Sequence, residues 1–136
     1  MKLTNPFKKK TIQKAASVPL NPEEIPAPTD FESYMRRGWA YHARGQHQEA
    51  EQDLRQALKL NADSVDANYV LGLVMKAQGK KEEAIVCFKK TIDLIEAGKI
   101  EDKSKNEIMH RLANGHYNEL TIGDWNLEKE IWQHIS

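Results

Sequence analysis

One pattern, 34 residues long, is written twice between Phe31 and Gly98. Gly38, Ala43, Gly45, Glu49, Ala50 and Leu60 return as Gly72, Ala77, Gly79, Glu83, Ala84 and Leu94. Leu54 with Phe88, Leu58 with Ile92 and Arg55 with Lys89 are conservative matches in the same register. A period of this length marks a stack of small units, each unable to bury its apolar face alone. Gly38 with Ala50, and Gly72 with Ala84, predict two antiparallel helices in close approach within each unit. Gly45 and Gly79 fall between those helices, where a turn often needs positive φ.

Apolar spacing supplies the helices. Tyr34, Arg37, Gly38 and Tyr41 share one face of a helix over residues 31–43, and Ala50, Leu54, Ala57 and Leu58 share one over 47–60. The short turn at 44–46 makes them antiparallel neighbours. Asp63 or Ser64 can cap a third helix, 65–78, which is apolar nearly all round and therefore expected inside the stack. A fourth, 81–97, turns Ala84, Ile85, Phe88, Thr91, Ile92 and Ile95 inward, and Gly98 ends it. Residues 99–105 are charged and read as a loop. A fifth helix, 106–120, carries Met109, Leu112, Ala113 and His116 on one face, and a sixth, 125–135, follows Gly123 and Asp124. The expected fold is all-α: three helix pairs, at about 31–64, 65–98 and a degenerate 103–136.

All five prolines precede residue 29. Proline inside a helix costs about 3 kcal/mol, so the chain divides there into a disordered leader, 1–29, and a helical domain, 30–136. Residues 21–30 read as an acidic, proline-rich spacer that ends in an N-cap at Thr29 or Asp30. Residues 1–20 hold five lysines and no acid, whereas 31–136 hold 15 Lys/Arg against 17 Asp/Glu. With a net charge of zero over the whole chain, no nucleic-acid partner is expected. The lone cysteine, Cys87, cannot form an intrachain disulfide and reads as a small apolar helix residue, in keeping with a cytoplasmic setting. The longest apolar run, residues 69–75, is far short of the ~20 residues that span a bilayer.

The doubled pattern resembles the tetratricopeptide repeat. The likeness rests on Gly38, Tyr41, Gly45, Ala50, Leu54, Ala57 and Leu60 in the first copy and on Leu71, Gly72, Gly79, Ala84, Phe88 and Leu94 in the second. It is strong over 31–98, weaker over 106–135, and silent on 1–30. Two departures, Ala62 where the family closes a repeat with proline and Asn68 where it has an aromatic residue, imply slightly weakened joints. The resemblance implies a right-handed superhelix without chemistry of its own, which binds a protein or peptide along a concave groove. Carried over position by position, the groove residues are Met35, Trp39 and His42, then Tyr69, Leu73 and Lys76, then His110, Asn114 and Tyr117. One subtype, which clamps the acidic tails of heat-shock chaperones, needs Lys and Asn where this chain has Met35, Trp39 and Val70, so that ligand is not expected.

No Gly-rich phosphate loop or nucleophile elbow is present, and no two of the five histidines have the i, i+4 spacing that sets two ligands on one helix face. The carboxylates read as lying on solvated faces. Neither catalysis, a cofactor nor a metal is therefore expected. Two other surfaces stand beside the groove. Trp125, Trp132 and Ile135 crowd the last helix and suit a homodimer contact. The lysine leader suits an anionic membrane surface, though nothing apolar anchors it there.

Overall fold

A computed structural model describes residues 21–123 and Trp125. Five α-helices follow in order: α1 (Phe31–Ala43), α2 (His47–Leu60), α3 (Val65–Ala77), α4 (Lys81–Glu96) and α5 (Lys103–Ile122). Each packs on the next, α1 on α2 and α3 on α4 most extensively, and α1 also touches α3 across one helix. The fold is all-α, with sequential antiparallel helices as in a repeat stack. The expected sixth helix, with Trp132 and Ile135, lies outside the described residues.

Local chemistry sets the helix ends. Asp30 caps α1: its carboxylate accepts from the Ser33 amide at 2.8 Å, and the Ser33 hydroxyl accepts from the Asp30 amide at 3.1 Å. The Ser64 hydroxyl caps α3 and the Asp102 carboxylate caps α5, each accepting from the amide three residues on. The expected loop at 99–105 is thus shorter than its charge suggested. Lys103, Ser104 and Lys105 form an exposed first turn of α5, where no apolar period is required. At the hairpin turn, Gly45 has φ 76° with nothing near its missing Cβ, so the backbone conformation alone selects glycine.

Residues 21–29, expected as an unstructured spacer, contain a 3-10 turn, Pro22–Glu24, packed on α1. Asn21 caps it, and the apolar side chains of Pro22 and Ile25 are both buried. Burial of two apolar residues at its two ends outweighs the polarity of Glu23 and Glu24 between them.

The main core runs through α1–α4, with Leu54, Ala57, Val70, Val74, Met75 and Phe88 almost or wholly inaccessible. As its all-round apolar character predicted, α3 is the most enclosed helix, buried at eight of its thirteen positions. A second cluster of Val65, Leu94 and Ile95 joins α3 to α4, with Ile100 and Met109 against it. Against the main core Cys87 is half-buried, and burial pushes its thiol up to about 11, a non-nucleophilic state that matches its reading as a packing residue.

The joint between the two repeats is better tied than Ala62 and Asn68 implied. Asn68 is buried, and its side-chain amide donates to the Ala62 carbonyl at 3.1 Å and the Ser64 carbonyl at 2.8 Å. The two departures from the family pattern meet in one interaction: the amide holds the joint that lacks proline.

Glu51 ties the repeats from the opposite side. Its carboxylate accepts from Gln78 at 2.9 Å, Lys80 at 3.0 Å and Arg55 at 2.9 Å. Burial opposes ionisation, but these three donors prevail and hold the carboxyl at about 2. A carboxyl depressed in the folded state contributes stability above its unfolded value, near 4.5, and loses it as pH falls towards 2. Glu51→Gln should therefore cost about 1 kcal/mol at neutral pH, where water still reaches the network. The difference from the parent should vanish by pH about 2 in urea melts run across that range.

Candidate functional site

The first helices of the successive pairs, α1, α3 and α5, line a cleft of about 440 Å³. Phe31, Met35 and Trp39, spaced four apart, form one wall on α1, with Glu32 and Arg36 along the same helix. Asp66, Tyr69 and Val70 face them from α3, and Met109 from α5. The repeat register builds the site, since Met35 and Tyr69 are equivalent positions one 34-residue period apart.

Met35 and Val70 are buried and form the floor, whereas the Trp39 indole is 44% exposed. Tyr69 lies between, its ring edge-on to Phe88 with 5.8 Å between centroids, and burial raises its phenol. At the rim, Asp66 is paired with Lys105 at 3.1 Å, which joins α3 to α5. Glu32 and Arg36 are exposed, and no ion pair among the described residues uses either. An apolar trough with one free acid and one free base on its edge suits an amphipathic chain segment.

Of the nine groove residues expected from sequence, Met35, Trp39 and Tyr69 line this cleft. Leu73 and Tyr117 pack partly buried against the core. Lys76 pairs with Glu119 at 2.8 Å, and its ammonium lies 3.2 Å from Nδ1 of His116. Burial first, and then the charge of Lys76, lower the pKa of His116, which leaves a neutral ring able to accept from that ammonium. The His116 ring stacks on Phe88 with 4.9 Å between centroids and meets the edge of the Trp125 indole at 4.8 Å. Trp125 is thereby half-buried, over Gly115, where any Cβ would overlap the indole.

His110 and Asn114 lie on a different side of α5, bonded to each other at 3.1 Å, with His110 3.4 Å from the Glu96 carboxylate on α4. His42 meets His47 across the first hairpin turn. Phe31, Val70 and Met109 are cleft residues that pattern reading assigned to a helix end or to the core. The spacing of Phe31, Met35 and Trp39 along one face was the available signal.

The expectation that the carboxylates all lie on solvated faces fails at Asp53, which is 3% exposed. Arg37 forks onto it, Nε to Oδ2 at 2.8 Å and Nη2 to Oδ1 at 2.7 Å, and so binds α1 to α2 inside the first repeat. Among the described residues no three His, Cys, Asp or Glu side chains gather as a metal centre would require.

Comparison with known families places two profiles on this region. The TPR repeat profile matches residues 38–79 and the tetratricopeptide repeat profile residues 65–97. Together they cover residues 38–97, which include Trp39, Asp66, Tyr69 and Val70 of the cleft, and proteins with such repeats generally act as protein–protein interaction modules and are typically non-catalytic. No curated protein matches the chain. No helix among the described residues is long and apolar enough to cross a membrane.

Proposed function

The chain is a tetratricopeptide repeat protein, and on that premise we propose that it binds an amphipathic peptide or partner helix in the cleft between α1 and α3. The carrying observation is the half-exposed Trp39 at the wall of an otherwise apolar trough. A large aromatic side chain left in water beside Phe31, Met35 and Tyr69 is typical of a contact surface. Tryptophan and tyrosine dominate the energetics of such contacts, at about 2 kcal/mol or more each. An apolar anchor of the ligand would lie on Met35 and Val70, while Glu32 and Arg36 would fix its direction.

The test compares the parent protein with Trp39→Ala, and with Trp39→Ala/Tyr69→Ala, as baits in native lysate, once circular dichroism shows unchanged helicity. A captured protein would then be identified and its binding segment titrated as a synthetic peptide. Trp39→Ala should weaken that peptide about 30-fold, the equivalent of about 2 kcal/mol. Equal affinity for parent and double variant would remove the cleft from consideration. Because Trp39 projects from the surface and Tyr69 also supports Phe88, the single variant is the cleaner arm.

A further inference from the structure

We propose that His42 and His47 form a zinc-binding pair across the turn of the first helix hairpin. His42 lies in the last turn of α1, and His47 is the first residue of α2. The Gly45 amide donates to the His42 carbonyl at 3.0 Å and the Gln46 amide to the Tyr41 carbonyl at 2.9 Å, so the backbone between the two rings is fixed. Both side chains are half-buried, and their Nδ1 atoms face each other at 3.4 Å.

That separation is long for a hydrogen bond, since N–H donors prefer about 2.7–3.2 Å. It does match a metal chelate: two nitrogens each ~2.0–2.1 Å from a tetrahedral zinc lie ~3.3–3.4 Å apart. The repeat register makes the pair particular to this hairpin, because Lys76 and Lys81 occupy the equivalent positions of the second repeat. Sequence spacing misses it because the i, i+4 rule looks along one helix, whereas these ligands come from two. With no third side-chain ligand among the described residues, water completes the coordination, and the ion exchanges readily. The His42 ring lies 5.9 Å from the Trp39 indole, so a bound metal has an optical reporter beside it.

The experiment is calorimetric titration of zinc chloride into the full chain. His42→Ala and His47→Ala should each weaken binding. Loss of an outer-shell partner of a metal ligand already costs about 10–100-fold, so loss of one of two ligands should cost at least ~10-fold. His110→Ala should change nothing. Nickel, which is paramagnetic, should quench the parent's tryptophan emission, and His47→Ala or Trp39→Phe should remove that component. Imidazole nitrogen spectra of the unaltered protein provide an arm that needs no variant, with zinc shifting Nδ1 of His42 and His47 together. Absence of zinc binding by the parent, equal affinity in both alanine variants, or unmoved Nδ1 signals would each overturn the assignment.

Discussion

Phe88→Ala should destabilise the protein by about 3–5 kcal/mol, the range for emptying a buried phenylalanine site. The ring is fully inaccessible, and three helices meet on it. It belongs to α4, Tyr69 of α3 touches it edge-on, and His116 of α5 stacks on it at 13° between planes. Gly72 makes the room, since a Cβ there would stand 2.8 Å from Cε1 of Phe88. The cavity left by alanine cannot close cheaply, because its walls come from three elements that are each fixed elsewhere.

A companion change isolates the contact. Gly72→Ala in the parent should cost about 1–3 kcal/mol by overpacking, yet far less in the Phe88→Ala background, where its methyl enters space just vacated. The non-additivity in urea unfolding should be about 0.5–3 kcal/mol, the range for residues in direct contact. A cost below about 1 kcal/mol for Phe88→Ala, far under that of an emptied core site, would mean that the ring is not the junction of the stack.

The same register explains how much could be read beforehand. Gly38, Gly72, Leu54 and Phe88 were legible because the structure uses them as a pattern: a Cβ at Gly38 would stand 3.2 Å from Leu54, as one at Gly72 would crowd Phe88. Periodic apolar residues likewise placed α1 and α2 at their observed bounds and α3 and α4 within a residue of theirs. Gly115 plays the part of Gly38 and Gly72 in the third unit, but no 34-residue partner marks it. The first turn of α5 was illegible for a different reason. Lys103, Ser104 and Lys105 face water, and a helix turn without a buried face leaves no period.

In the cleft, Met35 and Tyr69 followed from equivalent positions, while Met109 comes from outside the register. The buried Arg37–Asp53 pair and the His42–His47 pair arise only when two helices are laid side by side. The helical period set Arg37 on the inward face of α1 and the register set His42 in the groove, but Asp53 and His47 do not differ in local pattern from solvated neighbours, so periodicity along one helix could not show either pairing.

That illegible pair supports the second large expectation. Asp53→Ala should cost about 2–3 kcal/mol, somewhat under the 3–5 kcal/mol typical of breaking a fully buried pair. Its partner explains the discount, because the Arg37 side chain is 26% exposed and can turn part of its charge to water, whereas Asp53 at 4% cannot. Asp53 stabilises the charged guanidinium, raising the pKa of Arg37, chiefly through the hydrogen bond and against the burial that opposes charge.

The second repeat shows what an apolar version looks like. One period on, Leu71 and Cys87 occupy the positions of Arg37 and Asp53 and pack in the same core with no charge. The double variant Arg37→Leu/Asp53→Cys copies that solution into the first repeat. It should recover most of the loss caused by Asp53→Ala, because removing both charges avoids stranding either. Chemical denaturation of the parent and the two variants decides the matter. If the double variant is as unstable as Asp53→Ala, the fork does more than neutralise its own charges. It would then be what sets the angle between α1 and α2, and hence the direction in which Trp39 faces the cleft.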